Sequence, residues 1–425
     1  MQDIHQDMSD QGTLNILADE ILAELDSLSD SDPIHQCGKA ALSILKTRPR
    51  EASQLAKDHI QNQPYREVRG CWLRLYEEAS IYQAADLLRD AGDRQSTAGD
   101  WMSNLVRVLD LGLIVSGATV RGELYEVILA NLEPFLGETD LGGELPSSLQ
   151  ASQPPPLQSN NPVPSMRHPS LEAFQIHLDT QTTPLLLTDS ISDWPALQTW
   201  PNPCYLLRKT LAGRRHVPVE IGATYTHADW RQAIIPFHQF LHDHLLPSAP
   251  SEIGYLGQHN LFRQILSLAL DIRTPDYCYA SPPETFPPNV SRAPPVDVPQ
   301  KNVWLGPAGT RTPLHTDPYH NIFCQVMGHK YVRLYPPGAT ESVYPRGVDE
   351  NGVDESNTSG VELRFDRDGK GNLAVEEEES FPLFVAQEDY REVIVGPGEC
   401  LYIPAGWWHY VEALSVSYSV SFWWN

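Results

Sequence analysis

The C-terminal part of this chain is written in short apolar runs set off by proline and glycine, and that texture narrows the fold more than any other feature. The runs are "TPLLLTDS", "HVPVEIG", "KNVWLGP", "NIFCQVMGHKYVRLYPP", "REVIVGPGECLYIP" and "HYVEALSVSYSVSFWW". Proline removes an N–H and fixes φ, and glycine opens turn conformations, so both cut a chain into short elements. Many short strands closely spaced in this way predict a barrel or a double-sheet jelly roll.

The N-terminal part has a different period. Leu14, Leu17, Ile21, Leu25 and Leu28 form one helical stripe, and "CWLRLYEEASIYQAADLLRD" and "NLVRVLDLGLIV" repeat the spacing. About four to six packed helices are expected between Leu14 and Leu132, with Trp72 and Tyr76 in their core. Between the two textures lies "SSLQASQPPPLQSNNPVP", the composition of an extended linker. The expected architecture is therefore α+β, with an all-α domain over residues 1–145, a linker over 146–164 and a strand domain over 165–425. An acidic insert at about 346–380, containing "DENGVDESNTSG" and "VEEEES", breaks the strand pattern and reads as a solvated, mobile loop.

Composition sets outer limits on function. At 425 residues the chain exceeds one ordinary domain. Its 30 basic and 55 acidic residues give a net charge of −25, which repels nucleic acid and favours a basic protein segment as partner. No run of apolar residues is long enough to span a bilayer, and "MQDIHQDMSDQG" lacks the basic and apolar regions of a secretion signal. A nuclear or cytoplasmic protein, not secreted and not membrane-bound, is expected. The six cysteines form no CxxC pair, so neither a zinc knuckle nor a disulfide framework is signalled. Cys324 and Cys400 fall in apolar strand-like runs and read as inert small hydrophobes.

The chemistry concentrates in "LHTDPYHNIFCQVMGHKY", Leu314 to Tyr331. His315 and Asp317 stand two apart, which on a strand turns both side chains to one face. His409, in "GPGECLYIPAGWWHYV", adds a second imidazole in a strand context. Two histidines and a carboxylate form the facial triad of non-haem iron(II) oxygenases; zinc could use the same donors. Lys330 on an apolar strand needs an anionic partner, and Asn321 is an amide able to fix a carboxylate. A ligand with two carboxylates would satisfy both. His238, His242 and His244 of "HQFLHDH" read as the solvated face of an amphipathic helix and not as a second metal site. Trp407, Trp408 and Trp424 read as wall and core residues.

The segments "TPLHTDPYHN", "GHKYVRLYPP" and "PGECLYIPAGWWHYV" resemble the core of the JmjC family, the cupin-like Fe(II)- and 2-oxoglutarate-dependent oxygenases. "SVSFWWN", "VPVEIG", "GYLGQH" and "PDYC" narrow the resemblance to the group of JmjC-domain-containing protein 5, also called lysine-specific demethylase 8. It covers about Pro164 to Asn425. The resemblance implies a double-stranded β-helix and His315, Asp317 and His409 as iron ligands. It implies Lys330 and Tyr255, assisted by Thr312, on the distal carboxylate of 2-oxoglutarate, Asn321 beside the metal-bound carboxylate, and Trp423 closing the cofactor pocket. Glu220, Trp230, Gln258 and Trp304 match substrate-facing positions, where a carboxylate between aromatic walls suits a guanidinium.

Iron(II), 2-oxoglutarate and O2 are thus the expected cofactor and co-substrates, with succinate and CO2 released. The expected substrate is a basic side chain of a histone, ribosomal or other Arg/Lys-rich protein. Arginine hydroxylation is favoured over N-methyl-lysine demethylation. A non-catalytic peptide-binding module is the rival from another class; for a histone-tail peptidase no separate nucleophile or base is arranged. Three positions depart from the group's pattern: Thr316 and Thr312 stand where glutamine and serine are usual, and His329 where arginine is.

Overall fold

The computed structural model describes residues 2–425 except 27, 65–66, 94–100, 138–144, 150–152, 155, 225, 227–228, 284, 350–351 and 366–372, with side chains from Gln11 onward. The chain divides into two compact units: Met1–Gly143 with Leu207–Val217 and Pro236–His238, and Glu144–Leu206 with Pro218–Ile235 and Gln239–Asn425. No helix among the described residues is long and apolar enough to cross a membrane.

The first unit is helical. Its α-helices are α1 (Gln2–Leu25), α2 (Lys39–Leu45), α3 (Pro49–Gln61), α4 (Gly70–Asp93), α5 (Trp101–Ser116) and α6 (Gly122–Ala130). The stripe Leu14, Leu17, Ile21, Leu25 is buried, together with Trp72, Leu75, Tyr76, Leu105 and Leu109, as the spacing predicts. Helix α4 is buried nearly all round because α1, α3 and α5 all pack on it. That burial extends to charge, which the apolar period did not reveal. Arg74 is enclosed with Asp32 at 3.1 Å and Glu78 at 2.6 Å, and Glu77 accepts the backbone N–H groups of Val120 and Arg121. Buried charges persist only when paired in this way.

The second unit is built on two facing sheets. The strands are β1 (Ser165–Arg167), β2 (Leu185–Thr188), β3 (His216–Ile221), β4 (Arg231–Pro236), β5 (Gly254–His259), β6 (Gln300–Gly306), β7 (Arg311–His315), β8 (His320–Met327), β9 (Lys330–Tyr335), β10 (Leu363–Phe365), β11 (Leu373–Val375), β12 (Arg391–Val395), β13 (Cys400–Ile403), β14 (Trp408–Ala413) and β15 (Ser417–Trp424). The larger sheet runs β1-β2-β13-β8-β15-β6-β5-β3-β4 and the smaller β12-β9-β14-β7, with β10 and β11 forming a separate hairpin. Of the two strand architectures left open by the sequence, the double-sheet form is the one observed.

Side chains along the smaller sheet alternate as a strand requires. Val332, Leu334 and Val411 face inward with Phe323, Leu401 and Ile403 of the larger sheet. Tyr331, Tyr335, Trp408 and Tyr410 face outward into a second apolar cluster with Val361, Leu363, Phe365 and Phe384. Here the structure corrects the expectation of a solvated, mobile insert. Residues 358–365 supply Thr358, Ser359, Val361, Leu363 and Phe365 as buried residues, and Val361, Leu363 and Phe365 cover the outer face of β9 and β14; Glu376–Ser380 remain exposed. The acidic letters hid a short apolar alternation. β8 and β15 are buried at every position, and the burial includes polar residues: Ser417, Ser419 and Ser421 of β15 and His320, Asn321 and Gln325 of β8.

Two further expectations change. The Pro/Ser-rich stretch does not simply span: Asn161 and Val163 bracket Glu392 by backbone hydrogen bonds of 3.0 Å at the edge of β12, and Leu149 donates to Pro201 at 2.7 Å. His244 is buried, bonded to the Glu252 carbonyl at 3.0 Å, and only His238 and His242 are exposed. Trp407, Trp408 and Trp424 are buried, and so are the cross-strand neighbours Cys324 and Cys400; burial, with Cys400 alongside, pushes the Cys324 thiol well above its usual range.

The β8–β9 turn sets the position of Lys330. Gly328 has φ +70°, and a Cβ there would collide with the Val416 carbonyl and the Ser415 hydroxyl. The Gln325 side chain ties the turn by donating to the Met327 and Gly328 carbonyls at 2.6 and 3.2 Å. Gly328→Ala is expected to lower stability by about 2–4 kcal/mol, measured by urea unfolding.

Candidate metal centre and anion pocket

Strand pairing brings the metal donors together. In the smaller sheet β14 lies against β7 with His409 directly opposite His315, and their rings lie 4.1 Å apart. Asp317 follows just past the end of β7, its carbonyl accepting the Gly406 N–H at 2.9 Å. The Asp317 carboxylate is 3.9 Å from Nε2 of His315 and 3.7 Å from Nε2 of His409. One donor atom from each residue lies within 4.8 Å of the others, the spacing a single ion requires.

The imidazoles are oriented for that ion. His315 Nδ1 lies 2.8 Å from the Pro313 carbonyl, and His409 Nδ1 lies 3.0 Å from that of Trp407. A carbonyl only accepts, so each Nδ1 carries a proton, and each Nε2, turned toward Asp317, is the atom left to ligate an ion. Burial, with His315 alongside, holds His409 well below the usual histidine range, which keeps it neutral and ready to ligate. Burial also raises the Asp317 carboxyl, with His315 opposing. Two imidazole Nε2 atoms and one carboxylate, all on one side, fit a first-row divalent ion with open positions.

Beyond the triad lies a narrow pocket lined by Tyr255, Thr312, Asn321, Lys330 and Trp423, with Trp304 and the apolar Phe323, Ile403 and Val411. Lys330, the first residue of β9, is 1% exposed. Its ammonium donates to the Tyr255 hydroxyl at 3.2 Å and stands 5.4 and 5.3 Å over the Tyr255 and Phe323 rings. No carboxylate among the described residues is within ion-pair distance of it, and burial pushes it down to about 7. Burial and the nearby Glu220 raise the Tyr255 phenol, so it stays a neutral donor. Asn321 Oδ1 and Trp423 Nε1 are buried without a hydrogen-bond partner. A buried ammonium with no carboxylate beside it and an indole N–H with no acceptor among the described residues, around one pocket, fit a bound anion.

The substrate-facing residues are only partly assembled. Glu220 is the cross-strand partner of Tyr255, and burial raises its carboxyl while the Trp230 indole opposes that rise. Trp304 lines the pocket and donates to the Ser421 hydroxyl at 2.8 Å. Glu220, Trp230 and Gln258 lie outside the pocket walls, and Gln258 is exposed with φ +46°. Sequence reasoning missed Phe323, Ile403 and Val411 as walls. The strand period could have found two of them, since Phe323 follows Asn321 by two and Val411 follows His409 by two.

Two facing sheets with a His/Asp/His set opening between them define a cupin-type domain with a candidate metal centre. The cupin-like domain family matches residues 171–425. Among curated proteins, "Lysine-specific demethylase 8" of Xenopus tropicalis is 39% identical over 274 residues, 64% of this chain and 54% of that protein. "Jumonji C domain-containing protein 5" of Drosophila melanogaster is 40% identical over 273 residues, 63% of this chain and 61% of that protein. "Lysine-specific demethylase JMJ30" of Arabidopsis thaliana is 34% identical over 403 residues, 88% of this chain and 85% of that protein. The chain belongs to the Jumonji C branch of the cupin-like family. It spans little more than half the length of the frog and fly relatives.

Proposed function

We propose that this protein is an Fe(II)- and 2-oxoglutarate-dependent oxygenase that hydroxylates a basic side chain, arginine before lysine, of a protein substrate in the nucleus or cytoplasm. The observation that carries the reading is the buried Lys330 ammonium, without a counter-anion among the described residues, in the pocket that opens on the His/Asp/His set. His315, Asp317 and His409 would hold iron(II). Lys330, Tyr255 and Thr312 would take the distal carboxylate of 2-oxoglutarate, Asn321 and Trp423 its metal-proximal end. When bound, the iron with 2-oxoglutarate and O2 supplies the oxidising power, and the protein positions and shields.

Each residue's part follows from its chemistry. The charge of Lys330 is strengthened by the low dielectric around it, so the dicarboxylate is held in one register. Phe323, Ile403 and Val411 keep water from the space between the anchor and the metal. Glu220 supports the preference for arginine: its carboxyl, raised by burial, ionises most readily when a guanidinium is beside it, and Trp230 and Trp304 offer flat faces for stacking.

N-methyl-lysine demethylation is the second reading, favoured by the names of the frog and Arabidopsis relatives. Mass spectrometry of arginine-containing and methyl-lysine peptides after turnover separates the two. A stable gain of one oxygen on arginine is expected; loss of a methylene unit from methyl-lysine, with arginine untouched, would replace the proposal. If no basic peptide stimulates 2-oxoglutarate turnover, a peptide-binding module without catalysis is the better reading. Glu220→Gln should weaken the arginine peptide, raising its KM roughly tenfold, and leave the 2-oxoglutarate requirement unchanged.

A further inference from the structure

The metal-ligand strand does not end the smaller sheet. Thr316 donates its N–H to the Asn357 carbonyl at 2.9 Å, and Ser359 donates to the Leu314 carbonyl at 2.8 Å, so His315 and Thr358 form an antiparallel bridge. These two bonds flank His315 and Thr358 instead of joining them. In that arrangement the opposed residues come closest and their side chains share one face. His315 thus has His409 opposite on one side and Thr358 opposite on the other. Thr358 is buried, and Asn357 also reaches the Thr316 carbonyl through Nδ2 at 3.4 Å. Thr316 is the residue between the two ligands of the HxD pair, and Asn357 contacts both its backbone groups.

The Asn357–Ser359 segment is itself fixed on its far side. Arg346 donates to the Thr358 carbonyl at 2.9 Å, Thr358 donates to the Glu355 carbonyl at 2.8 Å, and Gly360 donates to the Tyr344 carbonyl at 2.7 Å. A ligand strand left at a sheet edge would have free N–H and C=O groups and freedom to fray. With its outer edge paired, the ligand strand is held on both sides at His315.

We infer that the insert contributes a fifth strand to the smaller sheet at Asn357–Ser359, and that Thr358 is a positioning residue that fixes the His315 imidazole for metal binding. The inference rests on the metal reading of His315, Asp317 and His409. Thr358 touches neither 2-oxoglutarate nor substrate; its effect passes through His315. Partners of a ligating histidine affect metal affinity more than they affect the fold.

The test is calorimetric titration of the metal-free full chain with Mn(II), without turnover, on wild type, Thr358→Gly, Thr358→Val and Glu378→Gln. Thr358→Gly is expected to weaken Mn(II) binding about tenfold or more, and Thr358→Val, which keeps the branched bulk, to stay within about threefold of wild type. Glu378→Gln, in the exposed part of the same insert, should match wild type. Should Thr358→Gly fail to fold by circular dichroism, Thr358→Ala takes its place, with the same tenfold loss expected. Unchanged Mn(II) affinity in a folded Thr358→Gly or Thr358→Ala protein overturns the positioning role and leaves the metal reading standing. Equal weakening in Glu378→Gln overturns it too, as an effect of insert charge. A wild-type protein that binds no Mn(II) overturns both.

Discussion

Asp317→Ala is expected to reduce 2-oxoglutarate turnover by roughly 10³-fold or more, because it removes the one anionic donor of the candidate centre. The fold should survive. In a chelator the variant should melt at or above the wild-type temperature, since a buried carboxylate between two imidazoles costs desolvation when no ion is present. Metal titration followed by succinate assay separates the effects, and unchanged metal affinity would remove Asp317 from the ligand set. The wild-type pH dependence follows from the same burial. Burial raises the metal-free Asp317 carboxyl from its ordinary value, so protons compete for it on the acid side and metal affinity should fall as pH drops. His409, held well below the usual histidine value, does not compete near neutral pH.

Lys330→Met should raise the KM for 2-oxoglutarate by roughly 10² to 10³-fold, with Mn(II) affinity unchanged, because the variant deletes the buried cation and leaves the triad alone. An unchanged KM would contradict the anchoring role. Stability should move the other way. Burial lowers Lys330 from 10.5 to about 7, so between those pH values the unfolded chain binds the extra proton and wild-type stability rises with pH. The cost of burying the charge is fully present below pH 7. Lys330→Met lacks it, so ligand-free Lys330→Met should melt higher than wild type, most clearly at or below neutral pH and least near pH 10. Wild-type affinity for 2-oxoglutarate should fall above about pH 7, where the free amine must first take up a proton. Calorimetry across pH 6 to 9 reads this directly.

Much of the fold was legible because local periods survive into the structure. The 3.6-residue stripe from Leu14 to Leu25 became a buried helix face, and the short Pro/Gly-bounded runs became the strands of two sheets. The insert was misread because charge dominates its composition while Val361, Leu363 and Phe365 alternate between the charged letters and cover β9 and β14. The buried cluster around Arg74 was invisible for the opposite reason: its residues lie in a helix whose apolar period says nothing about which polar groups are enclosed.

At the site, the sequence by itself determined which donors were present: the two-residue spacing of His315 and Asp317, a second histidine on a strand, and a lysine on an apolar run that demanded an anion. Only the tertiary structure decided what those donors face. It set His409 opposite His315, gave both Nδ1 atoms a backbone carbonyl, enclosed Lys330 with no counter-charge among the described residues, and brought Thr358 from a distant insert to the edge of the ligand strand. Spacing along a strand is a local property of the backbone, whereas register between strands, burial and edge pairing come from contacts between residues far apart in the chain.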